Sequence, residues 1–350
     1  MVLDGDLNGV QKMHAVAVPR IGGVALSISV TLTILIGAWL GVNPRAEAFE
    51  LLLCAAPVLC AGVTEDLTKR VRPATRLLCA IGSATAGVFV LHAVVGRVDL
   101  PLIDSLLKYW PIALGLTLLM VSGLTNAINL IDGFNGLAGG VALLVFGSIG
   151  FVAHQVGDWL VLSVSLTMIG ALLGFLMWNY PFAAIFLGDG GAYFTGFVMA
   201  ELVVLLIARH PNVSAWYAAV VTIYPVFETV FTIYRRRFVR GCAAGDPDGI
   251  HLHTLIFRRL VRPVSRPESA RQRSRRNAMT SPYLWMISLV GIVPATFFWD
   301  NEVVLAATAL TFVTVYVWLY VSIVRFRAPR WLVIRGRTRE GSPATSATRH

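Results

Sequence analysis

The sequence predicts an all-helical, polytopic integral membrane protein with about ten transmembrane helices. Its 350 residues are 56% hydrophobic and only 14% charged, whereas about a quarter of the residues of a soluble domain are charged. Mean hydropathy is +0.71, and apolar runs long enough to cross a bilayer as helices recur along the chain. The net charge of +10 does not indicate a nucleic-acid partner, because the basic residues fall in loops between these runs.

Ten apolar runs approach the length that a membrane helix needs. They are 21–41, 48–63, 77–95, 109–125, 138–154, 159–178, 191–208, 214–234, 282–299 and 303–324. Residues 21–324 are therefore predicted to form one multi-span membrane domain with a long cytoplasmic loop at 235–281, between a segment at 1–20 and a basic tail at 325–350. The first 20 residues lack the apolar core of a signal peptide, so we expect an internal span to start insertion. The four cysteines lack C-x-x-C spacing, which argues against a disulfide framework or a zinc site.

The distribution of basic residues predicts the orientation of these spans. With ten spans, 25 of the 29 Lys and Arg residues fall on one side, which also holds both termini. Cytoplasmic loops are the ones enriched in Lys and Arg, so we expect that side to be the cytoplasm. Five polar segments lie on the same side, and no span carries a row of charges from face to face. The pattern therefore favours an active site at the cytoplasmic face over an ion pathway through the membrane.

The most informative of these segments is residues 126–137, which lies between two apolar runs. Asn126, Asn129 and Asp132 are spaced three apart, so they lie along one face if the backbone is helical. Unpaired amides and carboxylates are costly in hydrocarbon, and these side chains must therefore be hydrated or bound to a ligand. The alternative is a polar re-entrant turn that satisfies its own backbone groups.

Two further segments place carboxylates at the ends of spans. Glu65 and Asp66 follow the second run directly and could hold a divalent metal or act as a base, or they could only balance nearby cations. Asp189 stands among glycines at the start of the seventh run, where a helix N-terminus favours anions and glycine allows a phosphate to approach. The alternative is an ordinary N-cap aspartate. Asn179 and Phe186, just upstream, could offer an amide and an aromatic face to a base.

The last segment lies in the long basic loop. His251 and His253 are two residues apart and lack a third good zinc ligand nearby, so together with Arg258 they suit a phosphate or diphosphate better than a metal. The alternative is a pair of exposed loop histidines.

Taken in order, these motifs resemble the polyprenyl-phosphate N-acetylhexosamine-1-phosphate transferase superfamily, glycosyltransferase family 4. The resemblance runs from His14 to about Arg262 and is closest to the undecaprenyl-phosphate GlcNAc-1-phosphate transferase branch. The family's aspartate pair falls on Glu65 and Asp66, with Glu where Asp is usual. Its N-x-x-N-x-x-D-G motif falls on Asn126, Asn129 and Asp132, and its magnesium motif on Gly188 and Asp189. Its histidine motif falls on His251 and His253, and the third histidine is replaced by Thr254.

The resemblance implies transfer of N-acetylhexosamine 1-phosphate from a UDP-sugar to undecaprenyl or another polyprenyl phosphate, with release of UMP, as the first membrane step of O-antigen or other cell-envelope polysaccharide synthesis. It implies Mg²⁺, or alternatively Mn²⁺, held by Asp66 and Asp189. It implies these catalytic residues: Glu65, Asp66, Asp132, His251 and His253. It implies these substrate-binding residues: Asn126, Asn129, Asn179, Phe186 and Arg258.

The implied location is the bacterial inner membrane, where the protein contacts membrane lipids and has both termini in the cytoplasm. The protein could also form a homodimer. Two alternatives remain, a lipid-linked sugar transporter or flippase and a non-catalytic paralogue in glycan assembly. The amino sugar and the glycan pathway stay open.

Overall fold

The computed structural model describes residues 18–41, 45–241, 250–262 and 270–335, and almost all regular structure in this part of the chain is α-helical. Much of the predicted N-terminal segment, the tail after residue 335 and parts of the long loop lie outside the described residues. The helices are α1 (Gly22–Trp39), α2 (Arg45–Thr68), α3 (Pro73–Val90), α4 (Pro101–Leu107), α5 (Trp110–Ile131), α6 (Leu137–Val156), α7 (Trp159–Asn179), α8 (Gly188–Arg209), α9 (Ala215–Val221), α10 (Ile223–Tyr234), α11 (Leu252–Arg259), α12 (Ala270–Phe297) and α13 (Glu302–Val324). Two-residue strands, β1 (Val261–Arg262) and β2 (Ile334–Arg335), pair in parallel.

Within the described residues, nine helices are long and apolar enough to cross a membrane, namely α1, α2, α3, α5, α6, α7, α8, α12 and α13. The prediction of an all-helical, multi-span membrane protein is confirmed. The third predicted run, 77–95, is shifted, because its helix begins at Pro73 and ends at Val90.

The eighth predicted run, 214–234, is a broken helix. Its two parts, α9 and a helical stretch that begins with α10 and continues to Val239, meet at a bend of 73°. Pro225 is the third residue of α10. Proline has no backbone N–H and cannot donate to the carbonyl four residues earlier, which favours a break at this place. The bend directs α10 toward the segment that carries the two predicted histidines.

The centre of the bundle is α8, whose apolar stretch is 94% buried, against 28–72% for the other eight unbroken spans. It packs against α1, α2, α5 and α6. A helix surrounded by others has a fixed position, so the first residues of α8 are a rigid platform at one end of the bundle.

A carboxyl group on α8 is buried inside the bundle. Glu201 is 1% exposed, and neither of its carboxylate oxygens has a hydrogen-bond partner in the described residues. Gly87 of α3 makes room for it, because a Cβ atom at Gly87 would lie 2.3 Å from Glu201 Oε1. The close approach of α3 to α8 therefore depends on glycine at this point.

At the end of the bundle opposite the start of α8, Asp99 joins the segment before α4 to the start of α9. Its carboxylate accepts hydrogen bonds from the Ala215 N–H at 2.6 Å and the Ser214 hydroxyl at 2.9 Å, and it pairs with Arg97. Burial alone would raise the pKa of Asp99, but these hydrogen bonds and the Arg97 charge outweigh it and hold the pKa below its usual value.

Candidate active site

The platform at the start of α8 is fixed by a carboxylate at the end of α2. Asp66 is 4% exposed. It accepts hydrogen bonds from the backbone N–H groups of Asp189 at 3.0 Å and Gly190 at 2.9 Å. Gly188 adopts a positive φ of 73°, and a Cβ there would lie 2.6 Å from Asp66 Oδ2. Asp66, which was predicted as a metal ligand, thus uses both oxygens to hold the first N–H groups of α8.

The segment before α1 lies against the same platform. The Phe186 N–H donates to the Pro19 carbonyl at 2.9 Å, and the N–H groups of Gly22 and Gly23 donate to the Phe186 and Leu187 carbonyls at 3.0 and 2.8 Å. The first two of these hydrogen bonds fix the backbone of Phe186, the aromatic residue predicted to contact a base, and the third fixes Leu187. Its side chain is half-buried, and its role in binding stays a prediction.

Asp189, the second predicted metal ligand, is held by two polar side chains. Its Oδ2 pairs with Arg76 of α3, and its Oδ1 accepts a hydrogen bond from Asn129 Nδ2 at 3.3 Å. Arg76 also lies over the Tyr193 ring, 5.9 Å from its centroid. The sequence reasoning missed Arg76. The available signal was its place three residues after Pro73, which starts α3 just beyond the acidic pair.

The two asparagines of α5 differ in their contacts. Asn129 reaches Asp189, as described above. Asn126 donates to the Ser122 carbonyl at 2.7 Å, one turn back along α5, and its Oδ1 lies 3.5 Å from the Tyr193 hydroxyl. The structure therefore brings the 126–132 segment beside the start of α8, while substrate contacts of either asparagine stay predictions.

Asp132, the residue after α5, has the fewest side-chain partners of the three aspartates at this site. Its side chain is half-buried, and it forms no hydrogen bond or ion pair within the described residues. Burial and the charges of Asp189 and Asp66 raise its pKa to about 7, and Arg20 opposes this shift. A partly buried carboxylate beside two others is electrostatically suited to a cation.

Glu65 lies at the edge of this cluster rather than within it. Its Oε2 accepts a hydrogen bond from the Val71 N–H at 2.8 Å, which braces the turn between α2 and α3. Successive residues of a helix point in different directions, so Glu65 and Asp66 have separate surroundings. The predicted catalytic role of Glu65 stays a prediction.

Asn179 braces the turn that leads into α6. It is 5% exposed. Its carbonyl oxygen accepts the Gly136 N–H at 2.6 Å, and its amide donates to the Ile185 carbonyl at 2.8 Å. The side chain predicted to bind substrate therefore joins two loops of the site through their backbones, and any contact with substrate stays a prediction.

The histidine segment lies against the turn that contains Asp132. Nε2 of His253 would lie 3.7 Å from a Cβ at Gly133, and the His253 ring is 5.3 Å from the Phe134 ring. The His251 and His253 rings stack, with centroids 5.1 Å apart. Arg258, near the other end of α11, is exposed, and its predicted phosphate contact is not tested.

The carboxylates fit a magnesium ion in kind. Within the described ranges, no group of three or more His, Cys, Asp and Glu side chains is already arranged around a common metal position. Magnesium in phosphoryl-transfer sites typically takes one or two carboxylates and completes its shell with water and substrate phosphates. Asp132, whose side chain has no hydrogen-bond or ion-pair partner within the described residues, meets that requirement. Asp189 would exchange a side-chain partner, Arg76 or Asn129, for the ion, whereas Asp66 would have to release backbone N–H groups of α8, so Asp189 is the better second ligand.

Fold and site together define a multi-span membrane protein with an acidic centre at one end of its helix bundle. The family model described as glycosyl transferase family 4 matches residues 48–207. The chain belongs to this family, in the superfamily of polyprenyl-phosphate N-acetylhexosamine-1-phosphate transferases that its motifs resemble.

Three relatives illustrate the similarity. A Bacillus subtilis protein named probable undecaprenyl-phosphate N-acetylglucosaminyl 1-phosphate transferase is 30% identical over 247 residues, which cover 69% of this chain and 66% of the relative. The Escherichia coli K12 undecaprenyl-phosphate alpha-N-acetylglucosaminyl 1-phosphate transferase is 26% identical over 262 residues, 71% of this chain and 67% of its own. The Mycolicibacterium smegmatis decaprenyl-phosphate N-acetylglucosaminephosphotransferase is 26% identical over 326 residues, which cover 83% of this chain and 74% of the relative. The chain thus spans about two thirds of the first two relatives.

Proposed function

We propose that this protein transfers N-acetylhexosamine 1-phosphate from a UDP-sugar to undecaprenyl phosphate at the cytoplasmic face of the bacterial inner membrane. A phosphate oxygen of the lipid attacks the β-phosphorus of the UDP-sugar, the bond between that phosphorus and the bridging oxygen breaks, and UMP leaves. The names of the relatives favour UDP-N-acetylglucosamine as the donor. The observation that carries the proposal is Asp132, a carboxylate that has no partner among the described residues and lies beside Asp189 and Asp66.

The chain's own residues prepare the site for this reaction. Asp66 fixes the first N–H groups of α8, and Arg76 and Asn129 orient the Asp189 carboxylate. Asp132 and Asp189 are the residues that would hold Mg²⁺. When bound, the ion would neutralise diphosphate charge, which is the main requirement of phosphoryl transfer. His251 and His253 stack next to the Asp132 turn, and their charged rings would donate hydrogen bonds to phosphate oxygens.

The experiment is a transfer assay with purified protein in detergent. Undecaprenyl phosphate, Mg²⁺ and a panel of UDP-N-acetylhexosamines are supplied, and UMP and the lipid-linked product are both measured. We expect product with one donor, abolished by EDTA and lowered at least about 100-fold in Asp132→Asn and Asp189→Asn, the loss typical of removing charge stabilisation at a transition state. Asp300→Asn, which removes an exposed carboxylate outside the site, is the matched control and should behave as wild type. Folded protein that makes no product from any donor would favour the non-catalytic alternative.

A further inference from the structure

A second buried carboxylate, outside the acidic centre, organises the histidine segment. Glu228 of α10 is 0% exposed. Its Oε1 accepts the Leu252 N–H at 3.1 Å and lies 3.2 Å from Nδ1 of His251, while its Oε2 accepts the Tyr316 hydroxyl of α13 at 2.6 Å. One side chain therefore ties the start of α11 to α10 and α13.

The chemistry of this contact selects one protonation pattern of the His251 ring. A carboxylate has only acceptor atoms, so the Nδ1 atom that faces it must carry a hydrogen. The Thr232 hydroxyl lies 3.2 Å from the same Nδ1 atom and adds a second polar neighbour. Nε2 forms no hydrogen bond within the described residues. In the neutral ring Nε2 then carries only a lone pair, so Nε2 donates a hydrogen bond to a phosphate oxygen only in the charged ring.

The position of His251 links this contact to the acidic centre. Its ring stacks on His253 at an interplanar angle of 14°, and His253 approaches Gly133, the residue after Asp132. The bend between α9 and α10 directs Glu228 and α10 toward this segment. A rotation of the His251 ring would disturb a stack that ends at the turn containing Asp132.

We propose that Glu228 is a positioning residue for the transfer reaction: it fixes the His251 ring with Nδ1–H toward α10 and Nε2 toward the diphosphate of the sugar nucleotide. This inference rests on the proposed function, since it assigns His251 to that substrate. Carboxylates that orient metal-bound histidines in this way commonly change activity by about 10–100-fold when they are removed, and we expect a loss of the same order here. The competing explanation is that Glu228 only anchors α11 through Leu252 and Tyr316.

A double-mutant cycle separates the two explanations. Glu228→Gln keeps the size of the side chain and removes its charge, and His251→Ala removes the ring. We expect Glu228→Gln to lower kcat about 10–100-fold with less than about a threefold change in KM for the lipid acceptor. In the His251→Ala background, the same change should lower kcat less than about twofold, because Glu228 acts through a ring that is no longer present. Multiplicative losses in the double variant would overturn the inference.

Loss of stability is controlled by a matched variant. Tyr217→Phe removes a buried hydrogen bond to Ser148, 3.0 Å long, away from the site. If Tyr217→Phe lowers the unfolding temperature as much as Glu228→Gln and lowers kcat equally, the effect of Glu228 is structural and the inference fails.

A spectroscopic measurement tests the inference independently of transfer. In protein labelled with ¹⁵N-histidine, the His251 signals are assigned by comparison with His251→Ala. We expect a proton on Nδ1 in the wild type and a mixture of tautomers in Glu228→Gln. A wild-type ring with a bare Nδ1 refutes the positioning role even if transfer is observed. Absence of transfer with a protonated Nδ1 refutes the proposed function and the substrate assignment, while leaving the Glu228 contact established.

Discussion

Gly23→Ala is the substitution whose consequence follows most directly from the structure. A Cβ at this position would lie 2.1 Å from the backbone N of Gly191 and 2.6 Å from its Cα. Ordinary contact begins at 3.4 Å, so the difference, 1.3 Å, must come from a movement of α1 away from α8. The clash is with backbone, and no side-chain rotation relieves it. Overpacking of this kind costs about 1–3 kcal/mol.

The movement also affects activity, because Gly23 donates a hydrogen bond to the Leu187 carbonyl, two residues before Asp189. Displacement of a reacting group by about 1 Å can lower the rate about 100-fold. We therefore expect Gly23→Ala to lower both the unfolding temperature in detergent and kcat in the transfer assay. The matched control is Gly82→Ala, where a Cβ would meet nothing within 4 Å and helix propensity favours Ala. If Gly23→Ala is as stable and as active as Gly82→Ala, α1 does not pack closely against the start of α8.

Three further predictions concern single residues. Asp132→Asn should raise the unfolding temperature measured without Mg²⁺, because it removes like-charge repulsion. It should also abolish any rise of the unfolding temperature that Mg²⁺ causes in the wild type. A variant that responds to Mg²⁺ as the wild type does contradicts a role of Asp132 in holding the ion. Asn179→Ala should lower the free energy of unfolding by about 2–4 kcal/mol, because it leaves the Gly136 N–H and the Ile185 carbonyl without their partner. A rise in KM at unchanged stability would instead support a contact between Asn179 and substrate. Asp99→Asn should lower stability by about 1–2 kcal/mol near pH 7. Because folding lowers the pKa of Asp99, the ionised carboxylate stabilises the folded wild type fully above pH 3.8, the pKa in the unfolded chain. This stabilisation is lost as the pH falls through the pKa of the folded protein. A difference in the free energy of unfolding between wild type and Asp99→Asn that persists below that pH contradicts the assignment.

The sequence was sufficient to predict the helical fold and the convergence of its polar segments. Runs of apolar residues report span length directly, and the structure confirms nine of them as unbroken helices. The segments around Asp66, Asp132 and Asp189 do meet at one end of the bundle, and His253 contacts the Asp132 turn. These segments were recognisable because several polar residues interrupt an otherwise apolar chain.

The roles within the site were harder to predict, because the residue types that bind substrate also satisfy backbone groups. Asn179 and Glu65 are both committed to backbone N–H groups, and no spacing rule distinguishes that use from ligand binding. Arg76 was missed because the sequence predicts a basic loop at this position, and one more basic residue there is unremarkable until its partner, Asp189, is known. The bend at the start of α10 was missed because mean hydropathy does not detect the N–H that Pro225 lacks.

The carboxyl group of Glu201 constrains how the chain enters the membrane. An acidic side chain at the centre of a helix costs about 2.5–3.5 kcal/mol during insertion by the translocon. The other residues of α8 offset this cost, since its mean hydropathy of 2.0 is among the highest of the spans. Its neighbour Gly87 belongs to α3, which is synthesised first. We therefore expect α8 to enter a membrane in which α3 already offers a place for this side chain, so that the order of the helices along the chain shortens the exposure of the carboxyl group to lipid.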